Sequence, residues 1–100
     1  WISINPNKFI LGYNKGSTTQ DTRVIVGTIS GASTISFGSA DTIETQAEQS
    51  YMKVSVDPNN SGQFIYAWRS GDPNRYGTAR LGQMATTTTN LTFPAGANYI

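Results

Sequence analysis

The chain carries one β-type pattern twice, and this internal repetition limits what it can fold into more than any other feature. Ile2-Ser3-Ile4-Asn5-Pro6 reads against Val54-Ser55-Val56-Asp57-Pro58, and Phe9-Ile10-Leu11-Gly12-Tyr13 against Phe64-Ile65-Tyr66-Ala67-Trp68. Val24-Ile25-Val26-Gly27 then matches Ala79-Arg80-Leu81-Gly82, and Ile35-Ser36-Phe37 matches Leu91-Thr92-Phe93. The four blocks keep their order, and the offset runs only from 52 to 56 residues, with Asn60, Ser61 and Gly62 absorbing most of the drift in a turn. Joining the ends gives Tyr99-Ile100-Trp1-Ile2-Ser3-Ile4-Asn5-Pro6, which follows Tyr51-Met52-Lys53-Val54-Ser55-Val56-Asp57-Pro58 step for step. The expectation is therefore two repeats, 1–52 and 53–100, cut from a running array. Further repeats of a longer chain, or other copies of this one, would complete it. The second repeat is shorter after Phe93, where Pro94 to Asn98 replaces the stretch from Gly38 to Ser50.

Turn signals divide each repeat into four short strands. The first is Ile2 to Asn5, matched by Met52 to Asp57; the second is Lys8 to Asn14, matched by Gln63 to Arg69. The third is Thr22 to Ser30, matched by Tyr76 to Met84; the fourth is Ser33 to Phe37, matched by Asn90 to Phe93. Links this short favour antiparallel neighbours, because a parallel crossover takes a dozen or more residues. The second strands are apolar on both faces instead of alternating, a pattern found where both faces of a sheet are covered. Blades stacked around a channel meet that condition. Gly12 and Ala67, small and at matched positions, suit the close approach of a neighbouring sheet. The expected fold is all-β, two four-stranded antiparallel blades of a β-propeller-like repeat array. A β-sandwich of two packed sheets, or a linear repeat stack, is the rival arrangement.

The run from Val26 to Gly38, Val-Gly-Thr-Ile-Ser-Gly-x-Ser-x-Ile-Ser-Phe-Gly, resembles a repeat of long phage virion and tail-fibre-associated proteins. Ser55 to Asn59 and Tyr76 to Ala79 carry the likeness in the second copy, which departs from it at Ala85 to Thr89 and after Phe93. The resemblance implies a structural or adhesive role in a virion or an extracellular assembly, and implies no residue-level site.

Composition narrows the chemistry. There is no Cys, so no disulfide or thiolate metal site, and no His, the commonest general base and transition-metal ligand. A net charge of +1 with 13% charged residues gives no electrostatic reason to expect nucleic acid or an anionic membrane. Ser and Thr number 23 beside 10 Gly, a mixture suited to exposed β-structure and turns. No apolar run approaches the roughly 18 residues of a membrane helix. The chain opens on Trp1 without an initiator Met or a leader pattern, and reads as an excised segment.

No catalytic residue is expected. The six acids include Glu44 and Glu48 in the link between repeats, where solvated charge is the ordinary reading, and no Ser or Thr has a His to activate it. The four arginines, Arg23, Arg69, Arg75 and Arg80, are divided between the repeats instead of clustered. Asp57-Pro58-Asn59-Asn60-Ser61-Gly62 copies the opening oxygen spacing of a calcium loop. Trp68, however, stands twelfth, where a bidentate Glu is needed, so an Asx turn is the better reading. No metal and no cofactor is expected.

A ligand-binding rim is the remaining candidate. Trp68, Arg69, Asp72, Asn74, Arg75 and Tyr76 gather after the second strand of repeat two, with Asn14, Lys15, Gln20, Asp21 and Arg23 in repeat one. Polar groups beside Trp1, Trp68 or Tyr76 could stack a sugar and bond its hydroxyls. The bland alternative makes Trp68 core and Arg69–Asp72 a loop-stabilising pair. Asn90-Leu91-Thr92 fits a glycosylation sequon, and the run from Thr86 to Thr89 reads as a polar turn or edge. The function expected is a non-enzymatic structural or adhesive module whose partners are further copies of the repeat or other subunits, with cell-surface glycans as a second class. A lectin-like propeller and the non-catalytic part of a propeller enzyme are the alternatives.

Overall fold

Short runs broken by Gly, Asn and Pro become antiparallel strands in the computed structural model, nine among the described residues. It describes the chain except for residues 1–6, 17–19, 47–49, 60–61, 72–73, 75–76, 86–87, 95, 97 and 100. The strands are β1 (Lys8–Lys15), β2 (Gln20–Ser30), β3 (Thr34–Phe37), β4 (Asp41–Gln46), β5 (Ser50–Val56), β6 (Gln63–Arg69), β7 (Thr78–Met84), β8 (Leu91–Thr92) and β9 (Asn98–Tyr99). The fold is all-β, with no helix among the described residues. β1 to β4 form one sheet and β5 to β9 a second. β6 keeps the bounds expected from its sequence, while the expected strand Ile2 to Asn5 lies outside the described residues.

The pairing of one half recurs in the other. β1 pairs with β2 as β6 pairs with β7, and Phe9 faces Gly27 as Phe64 faces Gly82. At both glycines an added Cβ would overlap the facing phenylalanine ring, so each ring lies flat on bare backbone. A third-row phenylalanine meets each ring edge-on: Phe37 against Phe9 at 6.1 Å and Phe93 against Phe64 at 6.0 Å, both at 83°. This aromatic-on-glycine pair fixes the register of both hairpins by the same means.

The link between the halves departs from expectation. The stretch Asp41–Gln46, read as solvated link, is strand β4. β2 is 11 residues long and β3 only four, so β3 covers just one half of the β2 edge, pairing from Gly27 to Ser30. β4 takes the other half, from Gln20 to Val24, with a bulge between Thr22 and Arg23. Unpaired backbone overrides weak strand propensity here. On β7, β8 and β9 divide the edge in the same way.

The sheets stack face to back. Phe64, Tyr66 and Trp68 on β6 point at the first sheet, where Val24 and Val26 are fully buried and Ile10 packs between the two apolar clusters. Ile10 is the counterpart of Ile65, which points away from this interface and is 53% exposed. The counterpart of buried Phe64 is Phe9, on the outer side of the first sheet with Leu11. Opposite sides of equivalent sheets therefore meet. Gly12 permits the approach, since a Cβ on it would overlap Tyr66. Within this chain β1 and β6 are thus each covered on one face, while the expected cover of the second faces was assigned to further repeats or other subunits.

Two glycine substitutions separate packing from pairing. Gly82→Ala forces a methyl into the enclosed Phe64 ring and is expected to cost about 2 kcal/mol. Gly27→Ala meets Phe9, which is only partly buried and swings aside for under about 1 kcal/mol. Urea midpoints of the two variants test the order; equal costs would contradict the buried-against-open contrast.

Candidate functional site

The rim expected to bind a ligand is one end of the stacked sheets, where β1, β4 and β6 finish and β2 and β7 begin. Sequence reasoning missed its centre. Glu44, on β4 of the first sheet, accepts hydrogen bonds from the Trp68 indole N–H and from Ser70 Oγ, the latter at 2.8 Å, both on the second sheet. Ser70 is buried and Trp68 nearly so. The carboxylate read as solvated link charge is therefore a clamp between the halves. Glu44 reaches them because β4 is a strand, a fact hidden in a segment with Ile43 as its sole apolar residue.

The other candidates are dispersed. Trp68 packs beside Tyr66, ring centroids 5.4 Å apart, inside the core, so its faces are not open to a sugar. Arg69 and Asn74 are exposed at this end. Asp72, Arg75, Tyr76 and Trp1 lie outside the described residues, as does Glu48. In the first half Asn14 Oδ1 accepts from Thr22 Oγ1 at 3.2 Å, and Arg23 donates to Asp21 at 2.8 Å. The Arg23 hydrogen bond holds the Asp21 carboxyl below the ordinary carboxylate range, and Asp21 in turn raises the guanidinium. The pair is open to solvent, so its attraction is screened and marks no buried catalytic charge.

At the opposite end, Lys8 is buried and its Nζ donates to the Thr88 carbonyl at 2.7 Å. A Cβ on Gly38 would overlap the Thr89 side chain. Thr88 and Thr89 thus lean on the first sheet. The Asp57 turn is an Asx turn: Asp57 Oδ1 accepts from the Asn59 N–H at 2.8 Å, and Gly62 closes it with φ 79°. No cluster of three potential metal-binding acids occurs among the described residues. The Tyr66 phenol is buried against Gly12 with no hydrogen-bond partner among the described residues, and burial raises its pKa far above the ordinary range.

What remains open is sheet face, apolar on the first sheet and mixed on the second, where Lys53, Ser55 and Arg69 stand exposed beside Ile65 and Leu81. The outer side of the first sheet forms a depression lined by Leu11, Tyr13, Ile25 and Phe37, with Leu11 43% and Phe37 54% exposed. The outer side of the second sheet has one depression around Ile65 and Leu81, and another lined by Tyr51, Lys53, Ala67, Arg69 and Ala79. Tyr51 sits in the bulge of β5 with φ 57°, a left-handed conformation unusual for an aromatic residue, and its ring stands in solvent. The signal for these faces was present in the sequence as the continuous apolar runs of β1 and β6. Compared with protein-family models, with curated proteins and with solved structures, the chain matches none of them.

Two substitutions test the local readings. Glu44→Ala leaves the Trp68 N–H and Ser70 hydroxyl without their acceptor and is expected to cost about 2 kcal/mol, with Glu44→Gln costing less because it keeps one acceptor oxygen. Thermal unfolding monitored by tryptophan fluorescence reads both; an unchanged midpoint in Glu44→Ala refutes the clamp. Tyr51→Asn, which tolerates positive φ, is expected to stabilise the chain by about 1 kcal/mol in urea, and a loss of stability would show that the Tyr51 ring is structurally needed.

Proposed function

We propose that the chain is a non-enzymatic structural and adhesive β-repeat module, its two sheets serving as two blades of a propeller-like array. The setting is a phage virion component, such as a tail fibre, or an extracellular assembly. One observation carries the reading: two equivalent sheets stack face to back and leave large apolar side chains exposed on each outer side. A closed β-sandwich turns polar residues outward on both sheets, whereas here Leu11, Ile35 and Phe37 face outward on one side and Ile65 and Leu81 on the other. Face-to-back stacking can be repeated indefinitely, and propellers close such stacks at about four to eight sheets. The virion setting rests on the likeness of the segment from Val26 to Gly38 to phage virion repeats.

The chemistry of the rim agrees with a non-catalytic role. Its central carboxylate, Glu44, is engaged by Trp68 and Ser70, and its ion pair joins Asp21 and Arg23 of one strand. The lectin alternative retains Arg69 and Asn74 as exposed polar groups but loses Trp68 as a stacking platform.

The 100-residue chain is expected to bind nothing on a glycan array and to turn over no glycoside or ester substrate. Glycan binding abolished by Arg69→Ala would replace this reading with a lectin, and hydrolysis by the chain would remove the non-enzymatic claim.

A further inference from the structure

We infer that the two open sheet faces are the halves of a single interface, and that two copies of this chain join through them head to tail. The face of the first sheet bearing Phe9, Leu11 and Tyr13 docks on the face of the second sheet bearing Ile65, Ala67 and Leu81 of another copy. The inference rests on the reading of the chain as a stacking repeat and adds the partner, the faces and their polarity.

The argument is the internal interface itself. There, Phe64, Tyr66 and Trp68 meet a surface of Ile10, Gly12, Val24 and Val26. Both hairpins have the same register, so each of these residues has a counterpart in the other half. Phe9, Leu11 and Tyr13 correspond to Phe64, Tyr66 and Trp68. Ile65, Ala67, Ala79 and Leu81 correspond to Ile10, Gly12, Val24 and Val26. Each open face is thus the equivalent of a face that the other half buries.

Some of the differences between the two sets offset one another. Inside, the large Tyr66 ring lies on Gly12, where no Cβ fits. Across two copies, the smaller Leu11 would lie on Ala67, which carries a Cβ. Similarly, Ala79 replaces Val24 while Leu81 replaces Val26, so one side shrinks where its neighbour grows. Close-packed interfaces demand such conservation of volume, whereas an unrelated occupant would not. The aromatic row of the first sheet also keeps its edge-on partner, Phe37 standing where Phe93 stands, and Phe37 is the more exposed of the two.

A contact between two different faces is heterologous. It generates a ring if the rotation closes and a filament if it does not. With two sheets per chain, a ring of about four to eight sheets contains about two to four copies.

Light scattering during size-exclusion chromatography tests this with two charge substitutions at exposed positions, Leu11→Glu and Ile65→Glu. The wild-type chain is expected to pass from monomer to multiples as its concentration rises. Each variant alone keeps one competent face and stays monomeric. Mixed in equal amounts, they are expected to form a one-to-one dimer that grows no further, because the two intact faces are complementary and the two spoiled ends cap it. Dimerisation of Ile65→Glu alone would mean that like faces pair, and would overturn the inference. So would a mixture that stays monomeric while both variants keep the wild-type far-ultraviolet spectrum. Should either charge unfold the chain, Leu11→Thr and Ile65→Thr replace them, each expected to weaken association about tenfold; unchanged association would overturn it too. The glycan and turnover measurements are made on separate samples with separate readouts, so failure of the module reading and failure of the face pairing are distinguishable.

Discussion

Burial of the β6 row, Phe64, Tyr66 and Trp68, against the first sheet is the interaction on which the rest of the molecule depends. Two sheets of this size cannot persist singly in water; one face of each must be covered. Three aromatic side chains on alternate positions of one strand supply most of the covering area, and the bare backbone at Gly12 lets the middle ring come close. With that row in place, Val24 and Val26 on the first sheet and Met84 on the second are sealed completely. The Tyr66 hydroxyl enters the same space without a described partner, a cost that the surrounding apolar contacts offset.

The two ends of the stack are locked by polar groups of opposite kind. At one end the Glu44 carboxylate from the first sheet takes donors from Trp68 and Ser70 of the second. At the other the Lys8 ammonium from the first sheet seeks the Thr88 carbonyl of the second. Both are charged groups bonded to neutral partners, so neither requires a second buried charge. Hydrogen bonds of this type are directional, and they set the angle between sheets that apolar packing alone leaves loose. Each lock involves a residue type that differs at its counterpart position: Gln63 stands in place of Lys8, and Tyr13 in place of Trp68. The two halves are therefore equivalent in backbone plan and distinct in the contacts that join them.

Face-to-back order has a consequence for solubility. A sandwich exhausts its apolar faces, but a face-to-back stack ends on two, one from each side of the shared strand plan. Strand edges are handled differently from faces: β3 with β4, and β8 with β9, split the edges of β2 and β7 between short ladders, and short edge strands resist pairing with foreign strands.

The repeat, the all-β class and the bounds of β6 were legible in the sequence because each depends on local pattern: the spacing of apolar runs, Gly and Asn at turns, and aromatic residues recurring at matched positions. Gly12 could be picked out as a point of close approach for the same reason. The strand character of Asp41–Gln46 was not legible, since its propensity is poor and its pairing comes from the half of the β2 edge that the four-residue β3 leaves vacant. The role of Glu44 was hidden with it. Nor could local pattern say which side of each apolar strand would be covered: Ile10 and Ile65 look alike in sequence, yet one packs into the core and the other faces water. Alternation along a strand defines two faces but not which of them a neighbouring sheet occupies, and only the tertiary arrangement, by placing β6 against β1 and β2, made that choice.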